Sequence, residues 1–196
     1  MTIVDLGPQT RIVARLAETV TDEQLSAPTP CPDYAVRNLL AHVQGLSVAF
    51  RDAARKDFGP TTDTSPNAHV PDLGPGWREE LPKALAELAD AWRDPAAWTG
   101  DTRAGGVPLP GAVAGAVAVE ELVIHGWDLA RAIGVPYEPD RAALESGHGF
   151  LLGMAQDPSR GEGAFGRVVP VPSGAPLLDR AVGLSGRDPG WPGPTA

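Results

Sequence analysis

Glu120-Glu-Leu-Val-Ile-His-Gly-Trp-Asp-Leu-Ala-Arg-Ala132 closes a run of small apolar residues that begins near Gly111. The run predicts a buried helix, and a 3.6-residue period then stacks Glu121 and His125, four apart, on one face. Ala114 and Ala118 occupy that face in the two preceding turns and leave room beside them, and Asp128 follows His125 by one turn. Val113, Val117, Glu120, Ile124, Trp127 and Arg131 take one side of the helix, and Leu122 and Leu129 another. Little of this surface reads as solvated. A carboxylate and an imidazole inside such a helix must be paired, hydrogen-bonded or coordinated, because burying a bare charge is costly. Two readings fit: part of a metal site in a helical bundle, or a buried Glu-His ion pair that fixes helix register.

Working outward, the helix is expected to run from Gly111 to about Ile133 and to close at Gly134, with Pro136 beyond as a stop signal. The cleanest apolar stripe in the chain, Val36, Leu39, Leu40, Val43, Leu46 and Phe50, predicts a second helix starting near an Asp33 cap. His42 falls roughly 90° from the centre of that stripe, on a flank where a bundle helix meets its neighbour. A first helix is expected over Asp5 to Val20, and a third over Trp77 to Trp92 with Pro82 in its first turn. A fifth follows Pro139-Asp140 through Ala155, and a last one spans Ala175 to Leu184. The segments from Phe58 to Gly76 and from Asp94 to Pro110, rich in Pro and Gly, read as long loops that rim a site. His69 on the first of them reads as an exposed loop histidine, His148 as structural or exposed, and Phe165 to Pro172 as a short extended segment.

Composition narrows the function. Sixteen basic against 25 acidic residues give a net charge of -9, without a basic cluster, which argues against a nucleic-acid partner. The single Cys31, in a proline-locked turn, excludes an intramolecular disulfide and suits a reducing cytoplasm; it reads as structural. No signal core opens the chain, and the most apolar run is too short to span a bilayer, so no membrane is expected. The 196 residues fit one domain, a bundle over 1–156 with an extension over 157–196 packed on it.

Three pieces together carry a resemblance: Cys31-Pro-Asp-Tyr-Ala-Val-Arg-Asn-Leu-Leu-Ala-His42, Glu121-Leu-Val-Ile-His125-Gly-Trp-Asp-Leu-Ala, and Gly186-Arg-Asp-Pro. In content and separation they resemble the actinobacterial metal-binding branch of the DinB-like (YfiT-like) superfamily, related to the N-terminal domain of mycothiol-dependent maleylpyruvate isomerase. The resemblance implies an all-α, up-down-down-up four-helix bundle with an extra C-terminal segment. It also implies a divalent-metal site of His42, Glu121 and His125. Asp128, one turn after His125, is a candidate to orient a ligand imidazole or a bound water, or to cap a neighbouring helix. Zinc is the default metal, and nickel, iron, cobalt or manganese suit the same ligands.

Such a metal supports a thiol-dependent transferase or isomerase that uses a low-molecular-weight thiol such as mycothiol on a small electrophile. The alternatives are a hydrolase using metal-bound water, or a non-catalytic metal-binding stress or interaction protein. Related bundles pair through their helices, so the resemblance admits a homodimer. The isomerase itself has a further C-terminal domain contributing to its active site, whereas about forty residues follow the fifth helix here. Its substrate is therefore not carried over.

Overall fold

The structure, a computed structural model, describes residues 3–65, 70–156 and 166–193. Four long helices form the body: α1 (Gly7–Glu18), α2 (Val36–Arg55), α4 (Trp77–Ala91) and α5 (Gly111–Ile133). A one-turn α3 (Pro60–Asp63) follows α2, and α6 (Arg141–Met154) and α7 (Leu177–Leu184) follow α5. Around the ring, α1 touches α4 and α5, and α2 touches the same two. Pairs of residues fix the directions. Gln44 meets Glu80 and Arg51 meets Glu87, so α2 and α4 run together. Arg78 reaches back to Val20 and Asp22, so α4 opposes α1. Gln9 bonds Leu122 and Gln24 bonds Ile133, so α1 runs with α5.

The central helix is α5, and most of its 23 residues are buried, as an all-round apolar sequence requires. It ends at Gly134, whose φ of 73° lies in the left-handed region that glycine takes without strain. A buried polar cluster fixes α1 against it. Gln9 Nε2 donates to the Leu122 carbonyl and to the Tyr137 hydroxyl, Tyr137 donates to the Val123 carbonyl, and Gln9 Oε1 accepts from Asp140 N–H. Tyr137 is held as the neutral phenol, because burial raises its pKa more than the Gln9 bond lowers it. On the other side, the Trp92 indole donates to the Phe50 carbonyl and Trp98 donates to that of Trp92, tying α2, α4 and the segment after it together.

Four expectations need correcting. Asp33 does not cap α2: Ala35 occupies that place, and its N–H is satisfied by the Asn38 side chain. Pro82 lies inside α4, beyond the first turn, where it leaves the Arg78 carbonyl without an N–H four residues on. The segment from Phe58 is not wholly loop, since Pro60–Asp63 forms α3; His69 lies outside the described residues. Between Asp94 and Pro110 the chain forms a 3-10 turn (Pro95–Trp98) and then a hairpin of β1 (Asp101–Ala104) and β2 (Val107–Pro110), joined by Gly105 and Gly106 with positive φ. Pro108 and Pro110 masked the strand pattern, while the Gly-Gly pair between short runs is a hairpin signal. Phe165 is also outside the described residues; of the segment it opens, Val169 N–H donates to the Gly183 carbonyl at the end of α7.

Candidate metal centre

Helix α2 carries His42 to the face of α5 that bears Glu121 and His125. His125 Nε2 lies 2.9 Å and His42 Nε2 3.5 Å from the same Glu121 oxygen, Oε2. The two imidazoles meet edge to face with centroids 4.8 Å apart, and the Tyr34 ring lies 5.4 Å from that of His42. One ligand atom from each of the three residues falls within 4.8 Å of the others. Two donors about 2.0–2.1 Å from a tetrahedral ion stand roughly 3.3 Å apart, so the spacings to Oε2 bracket what a divalent cation needs.

Behind the trio, His125 Nδ1 bonds Asp128 Oδ2 at 3.0 Å, which turns Nε2 toward Glu121. Asp128 has no exposed side-chain surface. Its second partner is Arg187, which donates from Nε to both carboxylate oxygens at 3.0 Å and from Nη2 to Oδ2 at 2.9 Å. A carboxylate behind a histidine is the arrangement that orients metal-binding imidazoles and raises their basicity. The donor set therefore fits a divalent metal.

Electrostatics follow the contacts. Burial opposes ionisation of Glu121, yet hydrogen bonds from His125 and His42 hold it well below the usual carboxylate range. Burial likewise opposes the charged form of His125, but the bonds to Asp128 and Glu121 raise it to about 9. Burial raises Asp128, and the charge of Arg187 with the His125 bond more than offsets this, so it stays ionised. Glu120, buried on the same turn, goes the other way: burial first, and then repulsion from Glu121, raise it to about 8.

The cluster borders a cavity of about 740 Å³, whose lining includes His42 and Glu121 and reaches α3, the hairpin and the loop around Asp72. Of the other sequence candidates, His148 sits half-buried on α6, where burial and Arg180 lower its pKa, and does not join the trio. Cys31 is half-buried, its thiol pushed up to about 11 by burial. Three residues around the site escaped the sequence reading. Arg187 lay inside the quoted Gly186-Arg-Asp-Pro piece without a role, Glu120 was counted as part of an apolar side, and Tyr34 sat in the first piece.

The class these features define is a helical bundle with two histidines and a carboxylate on facing helices beside a cavity. A model of the mycothiol maleylpyruvate isomerase N-terminal domain matches residues 6–130, and the chain belongs to that family. The matched span holds His42, Glu121, His125 and Asp128 and stops before Arg187. A histidine-to-alanine mutant of the mycothiol-dependent maleylpyruvate isomerase aligns with 76% of this chain and 66% of its own, at 19% identity and a TM-score of 0.58. The same isomerase without that mutation aligns over the same shares at 20% identity and a TM-score of 0.48. The chain thus matches a little under two thirds of the length of these proteins, and the first of the two shows a shared fold. No curated protein matches.

Proposed function

We propose that this chain is a divalent-metal-binding enzyme that uses a low-molecular-weight thiol, mycothiol in the first instance, to transfer to or isomerise a small electrophilic substrate. The observation that carries the reading is the trio of His42, Glu121 and His125 at the wall of a cavity, with His125 braced by Asp128. Membership of the isomerase N-terminal family supports the thiol. A bound divalent cation, with zinc first among the metals to test, would lower the pKa of the thiol so that it reacts as the thiolate.

The chain's own residues supply the rest. His42 and His125 offer imidazole nitrogens, Glu121 offers a carboxylate already ionised, and the Asp128-Arg187 pair fixes His125 in orientation. The reading takes 1–156 as the metal-binding bundle with 157–196 as its extension, and places the protein in the cytoplasm. The test follows substrate and mycothiol together in the presence of zinc: cis-alkene electrophiles, whose isomerisation returns the thiol, and epoxides and alkyl halides, whose transfer consumes it. Wild type should turn over one of these classes only when mycothiol is present, and His42→Ala and Glu121→Gln should reduce the rate at least a hundredfold. Turnover of esters or amides without thiol consumption would favour hydrolysis instead.

A further inference from the structure

Cys31-Pro-Asp-Tyr34, the turn that leads into α2, has no part in the thiol chemistry, yet it is tied firmly in place beside the trio. Pro30 and Pro32 fix its backbone at two positions. Buried Thr29 keys it, its hydroxyl donating to the Tyr34 carbonyl at 2.7 Å and accepting from Cys31 N–H at 3.1 Å. Tyr34 N–H in turn donates to the Cys31 carbonyl, and Val36 N–H donates to the Ala27 carbonyl as the chain enters the helix, both at 3.0 Å. A turn bonded across itself in this way delivers the Tyr34 side chain to one place. That place lies against His42, with ring centroids 5.4 Å apart and planes inclined by 50°. Burial, and after it the nearby Cys31 and Glu121, raise the pKa of the phenol, so the ring stands beside the trio as a neutral group.

The two histidines are oriented by different means. Asp128 turns His125 through a hydrogen bond, whereas the His42 ring is met by two others, that of Tyr34 and, edge to face at 4.8 Å, that of His125. Aromatic rings at such separations attract, and they favour tilted and edge-to-face arrangements. The rotamer of His42 held between these contacts is the one that brings Nε2 to 3.5 Å from Glu121 Oε2. A half-buried side chain that loses a packing neighbour regains other rotamers, and a ligand must then be ordered again when the metal binds. We infer that Tyr34 is the positioning residue of His42: the turn keyed by Thr29 presents its ring to the imidazole and so aims Nε2 at Glu121 before a metal arrives. The ring acts, and the hydroxyl does not. The inference deepens the metal-centre reading and rests on it only for the effect on zinc affinity.

The experiment takes two readouts on the full chain: nuclear Overhauser contacts between the His42 and His125 imidazole protons in metal-free protein, and zinc affinity by competition with a chelating dye. Wild type and Tyr34→Phe should show the contacts and bind zinc equally. Tyr34→Ala should lose the contacts and bind zinc about tenfold more weakly. Thr29→Val, which keeps the volume but removes the hydroxyl that keys the turn, should move both readouts the same way by less. Leu85→Ala, in the buried face of α4, weakens the fold without touching the turn and should move neither. Retention of the contacts or of full zinc affinity by Tyr34→Ala overturns the inference, as does absence of the contacts from wild type. An equal loss in Leu85→Ala also overturns it, because the cause is then a weakened fold, and an equal loss in Tyr34→Phe does so by assigning the effect to the hydroxyl. Should Tyr34→Ala fail to fold, Thr29→Val decides by the same criteria. Wild type that takes up no zinc ends the metal-centre reading, and the imidazole contacts alone then decide the role of Tyr34.

Discussion

Asp128 is the residue on which the site turns, because it is a fully buried carboxylate with charged partners on both sides. Removing one partner of a buried pair leaves an uncompensated charge, at about 3 to 5 kcal/mol. Asp128→Asn keeps the size but loses the charge that holds Arg187, and leaves one acceptor oxygen where His125 and Arg187 together used two. It should lower stability by about 3 kcal/mol in chemical denaturation, and weaken zinc affinity about 10- to 100-fold by competition with a chelating dye. Glu120 makes a pH prediction. Its folded-state pKa is raised from 4.5 to about 8, so between those values the folded chain binds more protons than the unfolded one. Its contribution to stability therefore falls as pH rises through that window and levels off above it. In metal-free protein, Glu120→Gln should gain on wild type by at least about 1 kcal/mol on going from pH 5 to pH 8.5. An unchanged difference would mean that Glu120 titrates as a solvated carboxylate. At this scale the sequence was half legible. The four-residue spacing exposed Glu121 and His125, and the motif exposed His42, but Arg187, though inside the quoted Gly186-Arg-Asp-Pro piece, stands 59 residues beyond Asp128, and nothing local says which carboxylate it meets.

Among the elements, α5 was read to within its end residues because every signal agreed: small apolar residues throughout, Gly134 at the end and Pro136 after it. Its small residues are there for close approach. A Cβ on Gly126 would lie 2.6 Å from the Tyr137 hydroxyl, in the middle of the Gln9 cluster, whereas one on Gly45 of α2 meets open space. The same substitution should therefore have opposite signs on two helices. Gly126→Ala should destabilise by about 1 to 3 kcal/mol through overpacking, and Gly45→Ala should stabilise by about 0.5 to 1 kcal/mol through helix propensity, both read from thermal or urea unfolding. Elements held by non-local contacts were the ones sequence patterns missed. The β1-β2 hairpin has prolines in one strand, and Thr102 on the other anchors it by donating to the Ala53 carbonyl at the end of α2, a contact no local pattern reports.

At the level of the whole molecule, the C-terminal segment is part of the site as well as of the fold. Helix α7 packs on α6, Arg187 reaches Asp128, and the Trp191 carbonyl accepts from Arg131 on α5. A chain ending at residue 184 should lose about as much stability as Asp128→Asn, since Asp128 then keeps only His125, and should lose zinc affinity with it. A truncated chain as stable as wild type would show that Arg187 is dispensable. The central claim is that His42, Glu121 and His125 hold a metal, and elemental analysis of protein purified without added metal, then supplied with zinc or nickel, tests it most directly. Wild type and His148→Ala are expected to hold about one metal ion per chain and His125→Ala almost none. Wild type that takes up no metal even when supplied would make the trio an ion-pair network that fixes α2 against α5, and would contradict the account.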